Sequence, residues 1–150
     1  MDLETTQSLD YLLERTSHLI HRQADQILQE RLGIGMSQYK VLRLLQAHGK
    51  ITQRFVAVCL TQTEASISRQ IKLLQSGGIV HVERNETSRR EHLVLLTHKG
   101  MRLTMAATDL LETHQAPLLS NFSNKEQKQF ARILGKLQEQ FSDSATGRQR

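Results

Sequence analysis

Apolar and polar positions follow one another along this chain with two different periods, and the change of period separates helices from strands. From Ser8 to about Leu32, apolar residues fall at 9, 12, 13, 19, 20, 27 and 28, with Thr16 and Gln23 filling gaps in the stripe. Steps of three and four predict a long amphipathic helix with a broken apolar face. Gly33 and Gly35 end it. Ser37 is placed to cap a second helix, whose Val41, Leu42, Leu44 and Leu45 face inward before His48-Gly49 stops it. Thr52 caps a short third helix, Gln53 to Leu60, and Thr61-Gln62-Thr63 forms a tight turn. The fourth helix, Glu64 to Ser76, carries Ile67, Ile71 and Leu74 at i, i+4 and i+7, and ends at Gly77-Gly78. Two helices joined by so short a turn are the sequence form of a helix-turn-helix.

The period then shortens. Ile79-Val-His-Val-Glu-Arg84 partly alternates, and so does the run after Arg90, so the two read as antiparallel strands around the polar segment Asn85–Arg90. Thr97 opens another long helix, with Leu103, Ala106, Ala107, Leu110 and Leu111 on its apolar side. Ser123-Asn-Lys-Glu126 is a capping box before a last helix bearing Phe130, Ile133, Leu134, Leu137 and Phe141. The expected fold is mainly α with a small β-hairpin, a winged helix-turn-helix. It divides into an N-terminal helix (1–36), the winged region (37–100), C-terminal helices (101–142) and a disordered tail (143–150), one structural domain in all.

Composition narrows the function. The chain has 150 residues, one Cys, and no Trp. A lone cysteine excludes an intrachain disulfide framework and fits a reducing cytosol. The acidic N-terminus lacks an apolar signal core, and no apolar run approaches the roughly 20 residues that cross a bilayer. These features predict a cytoplasmic protein without a membrane partner. Net charge is +5, and Lys50 to Arg102 holds nine Lys/Arg against four Asp/Glu, so this middle third carries the whole excess. A basic surface on a neutral scaffold points to nucleic acid. No P-loop, GxSxG, HExxH or dinucleotide fingerprint occurs, so the reading is not an enzyme, and no cofactor is implied.

The basic residues gather where a winged helix meets DNA. Opposite Ile67, the fourth helix presents Ala65, Arg69, Lys72 and Ser76, with Ser66 and Ser68 at the sides. Short polar and long cationic side chains on one face suit the major groove. Arg69 is suited to a guanine edge, and Ser66 or Thr63 to phosphate or base. A solvated helix face has the same composition; the short turn before it and the basic hairpin after it distinguish the two. Arg89 and Arg90 at the hairpin tip are either solvated turn charge or a minor-groove probe, where arginine's planar, weakly hydrated fork serves better than lysine.

The stretches TEASISRQIKLLQSGGIV and NETSRREHLVLLTHKG resemble the MarR family of winged helix-turn-helix transcriptional regulators. The resemblance lies in the Ser-Arg pair of the recognition helix, the Leu-x-x-x-Gly ending, the wing-tip Arg and the Leu-Thr-x-x-Gly strand exit. It implies a homodimer built from the first and last two helices, acting as a repressor on a palindromic double-stranded DNA operator. Carried over, Thr63, Ser66, Arg69 and Lys72 would enter the major groove and Arg90 the minor groove. It also implies a small phenolic or lipophilic anionic effector, with Arg15, His18, His21, Arg22, Tyr39 and Arg43 as candidate lining. His18 and His21 have helical metal-ligand spacing, but no third ligand accompanies them, so no metal is expected. Cys59, beside Val56 and Leu60, is expected to be a buried, inert thiol. Three positions depart from the family pattern: Ser88 where an Asp commonly braces the wing arginine, Gln62 where the turn is usually apolar, and Leu73 where a polar or basic residue is usual. The alternative is a winged-helix protein-interaction module that does not bind DNA.

Overall fold

The computed structural model describes residues 8–88 and 90–146. In chain order the elements are α1 (Leu9–Leu32), α2 (Met36–His48), β1 (Ile51–Thr52), α3 (Gln53–Cys59), α4 (Glu64–Ser76), β2 (Val80–Arg84), β3 (His92–Leu96), α5 (His98–Leu119) and α6 (Asn124–Thr146). The chain forms two compact units, one through Leu111 and one from Glu112 onward. The core of the first does not stop at the expected boundaries near 36 and 100. Ala24 and Leu28 of α1 and Ala107 and Leu111 of α5 belong to it together with the helix-turn-helix.

Apolar periodicity decides which faces are buried. Leu28, Val41, Leu42, Leu45, Val56, Ile67, Ile71, Leu74 and Val94 are almost fully enclosed. Each such side chain stabilises the fold by roughly 1.5–3 kcal/mol relative to exposure, so the three on α4 hold that helix firmly on α3 and the sheet. The α1 stripe is used only at its C-terminal end within this unit; Leu9, Leu12, Leu19 and Ile20 stay exposed.

Helix ends follow the sequence signals with one correction. Ser8, Thr52 and Thr63 cap α1, α3 and α4 through their hydroxyls, and Gly33 ends α1 in the left-handed conformation, φ 68°. Ser37 is not the cap of α2. That helix starts at Met36, with the Met36 N–H donating to Asp25 Oδ1 at 2.7 Å and the Gly35 N–H to Gln38 Oε1 at 3.0 Å. A carboxylate at the positive end of a helix holds it better than a neutral hydroxyl, and Asp25 arrives from another helix.

The sheet has three strands in the order β1-β3-β2, all antiparallel, where a two-stranded hairpin was expected. Val80 pairs with Leu96 and Arg84 with His92, while Ile51 and Thr52 pair with Val94 and Leu93. Thr97 clasps this sheet to the turn that follows α4. Its hydroxyl lies 2.6 Å from the Gly78 carbonyl and 3.0 Å from that of Ile79, and it accepts the Gly100 N–H at 3.0 Å. Gly100 is required there, because a Cβ would overlap the Ile79 carbonyl oxygen. The Leu-Thr-x-x-Gly signature is thus a hydrogen-bonded corner plus a close backbone approach.

The second unit holds the end of α5 and α6. The Ser123 capping box forms as expected, with the Ser123 N–H donating to Glu126 Oε2 at 2.8 Å and the Glu126 N–H to Ser123 Oγ at 3.3 Å. Pro117 sits within the last turn of α5, which ends two residues later at Leu119. Phe130, Ile133 and Phe141 are exposed. Helix α6 continues to Thr146, past the expected start of a disordered tail at 143, because nothing in Ser-Asp-Ser-Ala-Thr breaks a helix before Gly147. Residues 147–150 lie outside the described residues.

Candidate nucleic-acid interface

Helix α4 starts from a strained turn. Thr61 has φ 53°, a left-handed conformation that is unusual for a β-branched residue. Thr63 then caps the helix, its hydroxyl accepting the Ser66 N–H at 3.1 Å. The turn is tied to the helix by Gln62, whose Oε1 accepts from Gln70 Nε2 at 3.1 Å and from Ser66 Oγ at 3.4 Å. The polar residue at this usually apolar position therefore replaces packing with hydrogen bonds. The Ser66 hydroxyl is half-buried and engaged inside the motif rather than free on the outer face.

The outer face is as the helical wheel predicts. Thr63, Arg69 and Lys72 are exposed, and Ser68 is half-buried. Among the described residues neither Arg69 nor Lys72 has an ion-pair partner. Ile67, Ile71 and Leu74 fix the opposite face in the core, so the cations are held at a set angle to the sheet.

Among the described residues of the wing, hydrogen bonds centre on Asn85, and Ser88 stands where the family pattern commonly has an aspartate. The Asn85 N–H donates to the Glu91 carbonyl at 3.0 Å, and Asn85 Nδ2 to Glu91 Oε2 at 3.2 Å. Asn85 Oδ1 in turn accepts from the Thr87 N–H at 3.2 Å and the Thr87 hydroxyl at 2.8 Å. Two further backbone bonds, Ser88 N–H to the Asn85 carbonyl and Glu91 N–H to the Ser88 carbonyl, close the loop. Arg90 is exposed within this frame. Arg89 lies outside the described residues. Asn85 and Glu91 were not singled out in the sequence, although Asn two residues before Thr is the signature of an Asx turn.

Lower on the wing, Lys50 Nζ meets Glu83 Oε2 at 2.7 Å, and His81 Nε2 lies 3.8 Å from Glu83 Oε1. The Lys50 hydrogen bond holds the Glu83 carboxyl below its ordinary pKa; desolvation opposes it, and charge attraction from Lys50 and His81 adds lesser support. One of the few acids in the basic third is thereby neutralised beside the candidate surface.

The candidate effector residues make separate contacts among the described residues. Tyr39 is buried, its phenol 3.1 Å from the Thr108 hydroxyl. Arg15 donates to the Tyr11 hydroxyl at 3.0 Å, and Arg43 to Gln46 at 2.8 Å. His18 and Arg22 are exposed on α1 and His21 is half-buried. Among the described residues no three His, Cys, Asp or Glu side chains converge. Cys59 is exposed, not buried: the inward side of α3 is centred between Val56, Ala57 and Leu60, and Cys59 falls more than a quarter-turn away.

Residues 32–91 match the family model described as MarR family. An uncharacterised HTH-type transcriptional regulator of Bacillus subtilis is 26% identical over 125 residues, covering 83% of this chain and 90% of its own. A Mycobacterium tuberculosis HTH-type transcriptional repressor is 24% identical over 137 residues, 91% of this chain and 98% of its own. The fold is also similar to a crystal structure of the Staphylococcus aureus MepR–DNA complex, with a TM-score of 0.79 and 26% identity over 90% of this chain and 99% of that one. Apo MarR from Escherichia coli superposes with a TM-score of 0.77 at 24% identity, over 88% and 98% of the two chains. The capped recognition-type helix, the wing and the Thr97–Gly100 corner, taken with these matches, make the chain similar in fold and in sequence to winged helix-turn-helix proteins of the MarR family.

Proposed function

We propose that the chain is a dimeric, sequence-specific DNA-binding transcriptional regulator, a ligand-responsive repressor acting on a palindromic operator in the cytoplasm. The observation that carries this reading is the set of exposed cations on the recognition-type helix and wing that have no ion-pair partner among the described residues: Arg69, Lys72 and Arg90. Free cations beside a buried anchoring face suit a polyanion, since each neutralised phosphate releases counterions. Arg69 and Lys72 are assigned to the major groove with Thr63 and Ser68, and Arg90, with its neighbour Arg89, to the minor groove. Ser66 is assigned to backbone positioning, because its hydroxyl is engaged by Gln62. The likeness to a MepR–DNA complex supports the same orientation. The exposed apolar residues of α1 and of α6 supply the material of a dimer interface. A small phenolic or lipophilic anionic effector is assigned to the Arg15, His18, Arg22, Tyr39 and Arg43 region of the assembled dimer.

Selection of bound fragments from the native genome, followed by competition binding, tests the reading. A single palindromic motif should emerge. Replacing Arg69 with Ala should cost about 1–3 kcal/mol at the base it reads and relax preference there. Enrichment of no motif would favour a protein-interaction module instead.

A further inference from the structure

Gln62, in the turn between α3 and α4, is held at both ends. Its backbone N–H donates to the Ala57 carbonyl at 2.9 Å, which ties it to α3. Its side-chain Oε1 accepts from Gln70 Nε2 at 3.1 Å and from Ser66 Oγ at 3.4 Å, which ties it to α4. Ser66 and Gln70 stand one turn apart on the same flank of that helix, and both converge on the one oxygen. Gln62 and Gln70 are each half-buried. A single side chain therefore bridges the two helices of the motif.

The bridge is not needed to start α4 or to bury it. The Thr63 hydroxyl caps the helix, and Ile67, Ile71 and Leu74 seat it in the core. Nor is it the arrangement that stability alone would select. Gln70 Oε1 is enclosed and accepts no hydrogen bond among the described residues. A buried acceptor in that state costs the desolvation of the oxygen, whereas an apolar pair of similar shape carries no such cost. What the amide pair adds is direction, because a hydrogen bond fixes angle and distance more narrowly than apolar packing does. Arg69 immediately precedes Gln70 and is exposed on the outer face. Any roll of α4 on α3 displaces that long side chain farther than the buried ones, since its end lies farther from the helix axis.

We infer that Gln62 and Gln70 are positioning residues for base reading: their amide pair fixes the roll of α4 against α3 and so sets where Arg69 meets a base edge. The inference deepens the DNA-binding reading and rests on it. Neither glutamine touches DNA in this role; each acts through the helix. A bidentate contact to a base works only when the side chain is held to within about 0.5 Å by its supporting bonds. Phosphate attraction is far less sensitive to such a shift, because it depends on charge more than on register. The signature of the pair is thus a loss of discrimination between sequences, without a loss of stability or of non-specific affinity.

The test uses the full chain and the operator selected from the genome, and compares it with duplexes altered at the base pair where Arg69→Ala relaxes preference. Discrimination, the ratio of the two affinities, should fall about tenfold in Gln62→Leu, in Gln70→Leu and in the double variant alike, because each removes the same link. Affinity for a non-specific duplex should stay within about twofold of the parent's in all three. The thermal midpoint of the double variant should equal or exceed the parent's. Gln62→Glu keeps an acceptor for Gln70 Nε2. It should hold discrimination within about twofold of the parent's while its added charge weakens binding to every duplex. Unchanged discrimination in the leucine variants would overturn the inference. So would a loss confined to Gln62→Leu, which marks a direct contact, or a loss that Gln62→Glu shares and a lowered midpoint accompanies. A parent chain without sequence preference would sink the DNA reading itself and this inference with it; a discriminating parent with equally discriminating variants sinks this inference alone.

Discussion

Single residues do most to shape this wing and its junction with the recognition-type helix. Gly100 packs its Cα against the Ile79 carbonyl where no Cβ fits. Gly100→Ala should therefore destabilise the chain by about 1–3 kcal/mol, the usual cost of overpacking, as read by chemical denaturation; a loss under about 0.5 kcal/mol, the range of neutral surface changes, would contradict the clasp. Asn85 acts differently, because it orders a loop and not the core. Its side chain joins Glu91 to Thr87 and so frames Arg90. Asn85→Ala is predicted to weaken operator binding by about fivefold, equivalent to one hydrogen bond of ~1 kcal/mol, with an unchanged thermal midpoint. Equal affinity in the variant would remove the brace from the account.

Among the elements, the turn before α4 and the cap of α6 make separable predictions. Thr61 holds a left-handed conformation that costs an L-residue roughly 1–2 kcal/mol and that Asn tolerates better. Thr61→Asn should raise stability by about 0.5–1 kcal/mol, and a lower denaturation midpoint would contradict the strain. At α6, the Ser123 hydroxyl and backbone N–H hold the Glu126 carboxyl below its ordinary value of 4.5. A carboxylate with a depressed folded pKa binds fewer protons folded than unfolded. Its contribution is complete above that ordinary value and is lost as pH falls through the lower folded one. The stability gap between the parent and Glu126→Gln should accordingly be open at pH 7 and close as acid protonates the cap. A gap independent of pH would rule this out.

The same elements mark what the sequence makes legible. Periodicity and hydroxyl caps are local, and so α1, α3, α4 and the start of α5 lie within a residue or so of expectation. Strand β1 is two residues long and exists only through pairing with β3 some forty positions away, which no local pattern encodes. The α2 cap eluded prediction for the same reason, since Asp25 reaches it from another helix. The exposure of Cys59 departs from expectation because Phe55 to Cys59 are all apolar, and an unbroken apolar run gives a short helix no polar contrast to fix its inward direction. The basic face of α4 was legible residue by residue. That the Ser66 hydroxyl bonds back to Gln62, and that Asn85 bonds Glu91 and Thr87 within the wing, depends on side-chain partners.

At the scale of the whole molecule, each unit leaves apolar surface uncovered. Leu12 and Leu19 on α1 are 46% and 53% exposed, and Phe130 and Phe141 on α6 are 52% and 70% exposed. A second copy is the cover the proposed function requires. Leu12→Glu with Leu19→Glu should convert dimers to monomers in light scattering and remove the concentration dependence of the thermal midpoint. A parent chain that is monomeric at tens of micromolar, or a variant that stays dimeric, would contradict it. DNA recognition is the central claim, and its most direct test is operator affinity measured against salt for the parent and for Arg90→Ala. The parent should lose on the order of 10³-fold between about 50 and 200 mM salt, and Arg90→Ala should bind more weakly with a log–log slope shallower by about one. Salt-independent binding, or an Arg90→Ala line that overlays the parent's, would contradict it.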